Sequence, residues 1–156
     1  MMAEIPRELL ELYTRIEIKI LPETYIIVSI GRGEIERLKQ ILKDIDEDFL
    51  STIFEKEKAT LIISRKGWSL ISQDFKNPRI DDGFKILVLD RGLMRRVIGY
   101  LSFVTRLLAG MEISVSIISS LEKDYLILKE QDGLGRGIMN DYSIQSDGLV
   151  VGIYSN

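Results

Sequence analysis

The chain contains no cysteine and no histidine. Their absence removes disulfides, thiolate nucleophiles, Cys/His zinc sites, Ser-His and Cys-His catalytic pairs, and histidine general bases. An enzyme built from this sequence would have to work with carboxylates, Lys, Tyr, Ser or Thr, and no nucleophile–base pair is visible among them. The expectation is a protein that is not an enzyme, with no catalytic residue, no cofactor and no metal site. A basic excess is also lacking. The formal net charge is -3, which offers no general field for phosphate backbones, so nucleic acid is not an expected partner. No apolar run approaches the roughly 18 residues a membrane-spanning helix needs. The opening segment MMAEIPRELLELYTR is charged and has no uninterrupted apolar stretch, unlike a signal peptide. With cysteine absent as well, the expected location is the cytoplasm.

What is present describes an ordinary globular protein. Hydrophobic residues make up 46% of the chain and charged residues 29%, enough to build a core and keep it dissolved. The length of 156 residues suits one compact domain or two half-domains. Pro6 and the stripe Leu9, Leu10, Leu12 and Tyr13 predict a short N-terminal helix. IEIKI (16–20) alternates strictly and YIIVSI (25–30) is β-branched; Leu21-Pro22-Glu23 interrupts them, so they read as one bent strand or two short ones. Gly31 and Gly33 open a helix over 34–45, with Ile35, Leu38, Leu42 and Ile45 on one face. Strands are expected at 49–55 and 59–64. Residues 65–83 are the least regular stretch and read as a connector carrying one short element.

The second half is more regular. FKILVLD (84–90) reads as a strand, RGLMR as a loop, and Val97 to Leu108 as an amphipathic helix with Val97, Leu101, Val104 and Leu108 inward. Two strands come next at 112–119 and 124–129, divided by the polar step SSLEKD. DGLGRGIMNDY predicts a poor short helix, and LVVGIYS (149–155) a last strand. From residue 84 the order is therefore β-α-β-β-α-β, and from 25 to 64 it is the same unit cut short. Such split βαβ units make antiparallel sheets with helices on one face. The expected organisation is an N-terminal helix (1–15), a truncated first unit with its connector (16–83) and a complete second unit (84–156). The fold class is α+β, ferredoxin-like.

Within the second half, GYLSFVTRLLAGMEISVSIISSLEKDYLILKEQD (99–132) resembles the ACT domain. Gly99-Tyr100-Leu101 matches that family's helix entry, Leu108-Ala109-Gly110 its helix end, and Ile113-Ser114 the opening of its next strand. Asp124-Tyr125-Leu126-Ile127-Leu128-Lys129-Glu130 is similar to the second unit of small tandem-ACT proteins, relatives of the aspartate kinase regulatory domains and the cytosolic arginine sensor. LPETYIIVSI (21–30) and Gly67-Trp68 resemble the family's first half. The resemblance implies a ligand-sensing or regulatory module that binds an amino acid at an interface between ACT units, usually as a homodimer, without catalysis of its own. Carried over by position, the ligand is bordered by Ile98, Gly99, Ser120, Leu121 and Asp124. Gly99 would let a carboxylate approach the N–H groups of a helix start. Asp124 would pair an ammonium or guanidinium group, and Ser120 would donate a hydroxyl.

The sequence departs from the family where binding chemistry is carried. The loop before Gly99 reads Met94-Arg95-Arg96-Val97-Ile98 where Asp, Ser or Thr is usual. Leu121 stands for an aromatic and Lys123 for a threonine. Two readings therefore stand side by side: a sensor of a small molecule such as an amino acid, and a ligand-free module that binds a protein partner. Asp124 equally suits a plain strand start beside a turn, and Gly99 equally suits close helix–sheet packing. Arg91, Arg95, Arg96 and Arg106 form a cluster that suits a phosphorylated ligand, or simply a solvated face. Gly133-Leu134-Gly135-Arg136-Gly137 has neither phosphate-loop spacing. Asp44, Asp46, Glu47 and Asp48 lack calcium-loop spacing and read as a helix end. Trp68 reads as a core or interface anchor.

Overall fold

The computed structural model describes residues 17–90, 99–134, 144–146 and 149–155, with the side chains of 18–90, 99–106 and 108–132. The expected N-terminal helix lies outside these residues. The chain divides into two compact units, one of residues 23–84 and one of residues 1–22 together with 85–156.

The 23–84 unit begins with β2 (Tyr25–Gly31), preceded in the chain by β1 (Glu17–Ile20) of the other unit. A 3-10 turn at Arg32–Glu34 leads into α1 (Ile35–Leu42). The helix stops at Leu42 rather than at 45 because Asp44, Asp46, Glu47 and Asp48 crowd its end. Negative charge at a helix C-terminus opposes the macrodipole. β3 (Ser51–Phe54) and β4 (Lys58–Ser64) come next, then α2 (Arg65–Ile71), a 3-10 turn at Ser72–Asp74, and β5 (Arg79–Asp90), whose first half belongs here. Residues 65–83 thus hold more than the one short element expected, and this unit has the order β-α-β-β-α-β in full. Its strands lie β3-β4-β2-β5, all antiparallel, which is the ferredoxin-like order. Period-2 residues Ile26, Val28, Ile30, Leu61 and Ile63 turn to one face and bury against Leu38, Trp68, Ile71 and Phe75. Trp68 stacks on Phe75 with ring centroids 5.6 Å apart, so it is a core anchor.

The other unit takes the second half of β5, then α3 (Tyr100–Gly110), β6 (Ser116–Ser119), β7 (Lys123–Lys129), α4 (Glu130–Leu134), β8 (Ile144–Ser146) and β9 (Leu149–Ser155). β7 pairs with both β6 and β5. β1 lies between β5 and β9, antiparallel to the first (Ile18↔Leu89) and parallel to the second (Ile18↔Ile153). Ile18, Ile20, Leu87, Leu89, Leu126 and Leu128 face one way and meet Tyr100, Phe103, Val104 and Leu108 of α3. The helix supplies these at i, i+3 and i+4 spacing, and the strands at spacing 2. Each such large side chain contributes about 1.5–3 kcal/mol by leaving water.

The strand expected over 112–119 starts only at Ser116, because the end of α3 uses the intervening residues. Glu112 N–H donates to Ala109 O at 2.9 Å and Ile113 N–H to Leu108 O at 3.0 Å, with Glu112 at φ +58. This is a Schellman ending, with buried Ile113 and Leu108 in one cluster.

Candidate functional site

Gly99 is the N-cap of α3, at φ +85, ψ +5. Among the described residues, a Cβ placed there would have nothing within 4 Å. Among them, the glycine is therefore required by backbone conformation and not by crowding. Its carbonyl accepts from Phe103 N–H at 2.9 Å, closing the first turn. The N–H groups of a helix's first turn have no intrahelical acceptor. Ile98 lies outside the described residues, as do Arg91, Arg95 and Arg96.

Ser120, Leu121 and Asp124 share the β6–β7 hairpin, on a different segment from Gly99. Ser120 closes the turn three times over: its N–H donates to Lys123 O at 2.8 Å, its Oγ donates to the same carbonyl at 3.2 Å, and Oγ accepts from Lys123 N–H at 3.1 Å. Leu121 sits on the tip, 71% exposed. Asp124, the second residue of β7, stands opposite Ser119 in the register. Its side chain is wholly buried, and its Oδ1 accepts from Ser119 Oγ. Spacing 2 places Asp124 on the strand face that carries Leu126 and Leu128. Ser119 escaped the sequence reading because its role depends on register, which only the turn length fixes.

A second polar cluster, also unread in the sequence, lies in the 23–84 unit. Ser64 is buried and caps α2, its Oγ accepting from Gly67 N–H at 2.8 Å and donating to Glu47 Oε1 at 2.9 Å. The Glu47 carboxylate lies so close to Gly67 that a Cβ there would stand 1.9 Å from Oε1 and 3.0 Å from Ile63 Cγ1. Nearby, Tyr25 is buried edge-on to Phe49, ring centroids 5.8 Å apart. Burial first, then the negative charge of Glu47, Glu23 and Asp48, pushes its phenol up to about 12. The Ser-x-x-Gly spacing at a strand-to-helix step was the available signal for this cap.

Among the described residues no group of three or more acidic side chains is placed to hold a metal, and no helix is long and apolar enough to cross a membrane.

No family model and no curated protein matches the chain. Solved structures do. A protein from Agobacterium tumefaciens superposes with a TM-score of 0.65 at 16% identity, over 91% of this chain and 94% of that one. The aspartate kinase of Clostridium acetobutylicum, described as an allosteric enzyme, gives 0.57 at 12% identity. That match covers 76% of this chain but 32% of the kinase, so the chain spans about a third of the enzyme's length. The regulatory subunit of aspartate kinase from Thermus thermophilus, in its ligand-free form, gives 0.54 at 8% identity over 76% of this chain and 91% of that one. At these identities the likeness is one of fold. The chain has the ACT-type, ferredoxin-like fold seen in the regulatory domains of aspartate kinase.

Proposed function

We propose that the protein is a regulatory module that senses a small molecule, an amino acid being the leading candidate, through ligand-biased association of its ACT units. The observation that carries this reading is the fold, shared with aspartate kinase regulatory subunits over 91% and 93% of their own chains. Gly99 supports it locally. Its left-handed conformation caps the start of an eleven-residue helix, where backbone N–H groups and the helix dipole favour a carboxylate. The β6–β7 hairpin forms the second border in this reading. Ser120 and Leu121 present the tip, and Asp124 acts from within by holding Ser119. A ligand that binds one arrangement of the units better than another shifts the population between them. The working form is a cytoplasmic homodimer.

A second reading is favoured by two specific observations. The Ser120 hydroxyl is engaged in its own turn, and Ile53 and Phe54 are exposed on β3, an outer strand of the 23–84 unit. Both suit a ligand-free module that adds a partner's strand at an exposed edge.

A thermal-shift panel of the twenty amino acids and common nucleotides separates these. Ligand at 100 times its Kd adds about 2.7 kcal/mol, which for a chain of this size raises Tm by roughly 5–10 °C. Sensing predicts such a rise with one amino acid, reduced in Asp124→Asn. A flat panel sinks the sensing reading and leaves the interaction module. A response to nucleotides alone would move the ligand to the arginine cluster.

A further inference from the structure

The chain contains three Asp-Gly steps, at 82–83, 132–133 and 147–148, the last of them outside the described residues. At such a step the glycine nitrogen can attack the side-chain carboxyl carbon of the aspartate before it, because no Cβ hinders the approach. Whether it does so depends on how the fold presents the nitrogen. Asp132 and Gly133 both lie within α4. In a helix the backbone N–H points along the axis and the side chain leans away from it, so nitrogen and carboxyl group are kept apart.

Asp82 and Gly83 are arranged in the opposite way. Tyr25 pairs with Phe84 while Ile26 pairs with Asp82, so Gly83 is an extra residue on β5 with no partner in the register. The residue a bulge inserts stands outside the ladder, and its N–H is released from it. Here that N–H donates to Asp82 Oδ1 at 2.6 Å, which lays the nitrogen against the carboxyl group. Arg65 donates to the same oxygen through Nε and Nη2 at 3.1 and 3.0 Å and so steadies the carboxyl group in that place. Gly83 sits at φ +85 with nothing among the described residues within 4 Å of a Cβ position, which leaves room for a ring. The Asp82 side chain is 50% exposed, so water reaches it. Groups held in contact in this way need little further ordering to react.

We propose that Asp82-Gly83 is a site of spontaneous covalent modification in the folded protein, where the backbone closes to a succinimide and reopens as isoaspartate. In the closing step the Gly83 nitrogen bonds to Asp82 Cγ and gives up its proton, and one carboxyl oxygen leaves as water. Water then adds back to the ring. Attack at Cγ restores aspartate. Attack at the main-chain carbonyl carbon breaks its bond to nitrogen and leaves the chain running through Cγ. Nothing is oxidised or reduced, and the only co-reactant is water. The product lengthens the backbone of β5 by one methylene and shortens the carboxylate's stem, so the contacts of Asp82 with Gly83 and Arg65 are lost. The inference goes beyond ligand sensing and is tested without any ligand, so the two stand or fall separately.

The test is incubation of the whole chain in heavy-oxygen water, followed by digestion and mass spectrometry of the peptides that carry Asp82 and Asp132. Each ring opening installs one heavy oxygen, and fragmentation distinguishes isoaspartate from aspartate. In the native chain the Asp82 peptide should take up label about tenfold faster than the Asp132 peptide, the advantage being one of orientation. In urea, where both steps sit in flexible chain, the two rates should converge. Asp82→Glu keeps the carboxylate but moves its carbon one bond farther from the nitrogen, and should abolish labelling of that peptide. Equal native rates at the two sites overturn the proposal, as does labelling of Asp82 that occurs only in urea. Label that persists in Asp82→Glu also overturns it, since the oxygen would then enter by some route other than the ring.

Discussion

Glu112 occupies the left-handed position that ends α3, at φ +58, where glycine is the usual residue. A side chain in that conformation costs about 1–2 kcal/mol. Glu112→Gly should therefore raise stability by about 1 kcal/mol, read as a shift of the urea midpoint with an unchanged slope. Gly99 is the mirror case: it sits at φ +85 with nothing among the described residues within 4 Å of a Cβ position, and Gly99→Ala should cost about 1–2 kcal/mol through backbone strain. Tyr25 carries a pH prediction. Its folded pKa is raised to about 12 above the usual tyrosine value near 10. The unfolded chain thus loses this proton first, and stability present below pH ~10 falls as pH rises toward ~12. The difference between the absorbance titrations of the parent chain and Tyr25→Phe should show a phenol ionising near pH 12, and that substitution should flatten the alkaline loss. Of these residues the sequence marked only Gly99. Glu112 stood inside an expected strand, because a Schellman ending without glycine leaves no compositional trace.

At the scale of elements, the start of α2 is organised by a carboxylate from outside the helix. Ser64 both caps the helix and donates to Glu47, and Gly67 leaves the space that the carboxylate fills. Alanine in place of glycine ordinarily adds about 1 kcal/mol to a helix. Here Gly67→Ala should instead destabilise by about 1 kcal/mol, because it displaces the acceptor of the Ser64 hydroxyl. In a Glu47→Ala background the same substitution should become neutral or stabilising, a coupling that a double-mutant cycle in urea measures. Strands and helices with strong periodicity were legible: Ile26, Val28 and Ile30 alternate, and Tyr100, Phe103, Val104 and Leu108 keep helical spacing. Residues 65–83 were not, since α2 contains Gly67 and only seven residues, too short for a period to emerge. β5 was cut at Gly83 for a related reason. The glycine that reads as a break is a bulge within a longer strand.

For the molecule as a whole, local pattern could suggest ferredoxin-like order but not which strands from distant parts of the chain meet. β1 reads like any alternating strand, and its place between β5 and β9 comes from long-range pairing that sequence periodicity does not encode. The 99–132 stretch was the most informative because its helix entry, helix end and hairpin recur in a known order. The candidate site was legible as positions rather than as chemistry. Turn chemistry marked Ser120 and Leu121 and the helix entry marked Gly99, but burial of Asp124 and exposure of Leu121 depend on packing. The central proposal is that α3's entrance and the β6–β7 hairpin receive a small molecule. At 17.9 kDa the chain suits amide-resolved NMR, so the most direct measurement is a titration of the labelled protein with the twenty amino acids in turn. The account predicts that one of them moves the amides of Gly99–Ser102 and Ser119–Asp124 together, saturably. Amides that stay still under all twenty, or that move only along Ser51–Phe54, would contradict it.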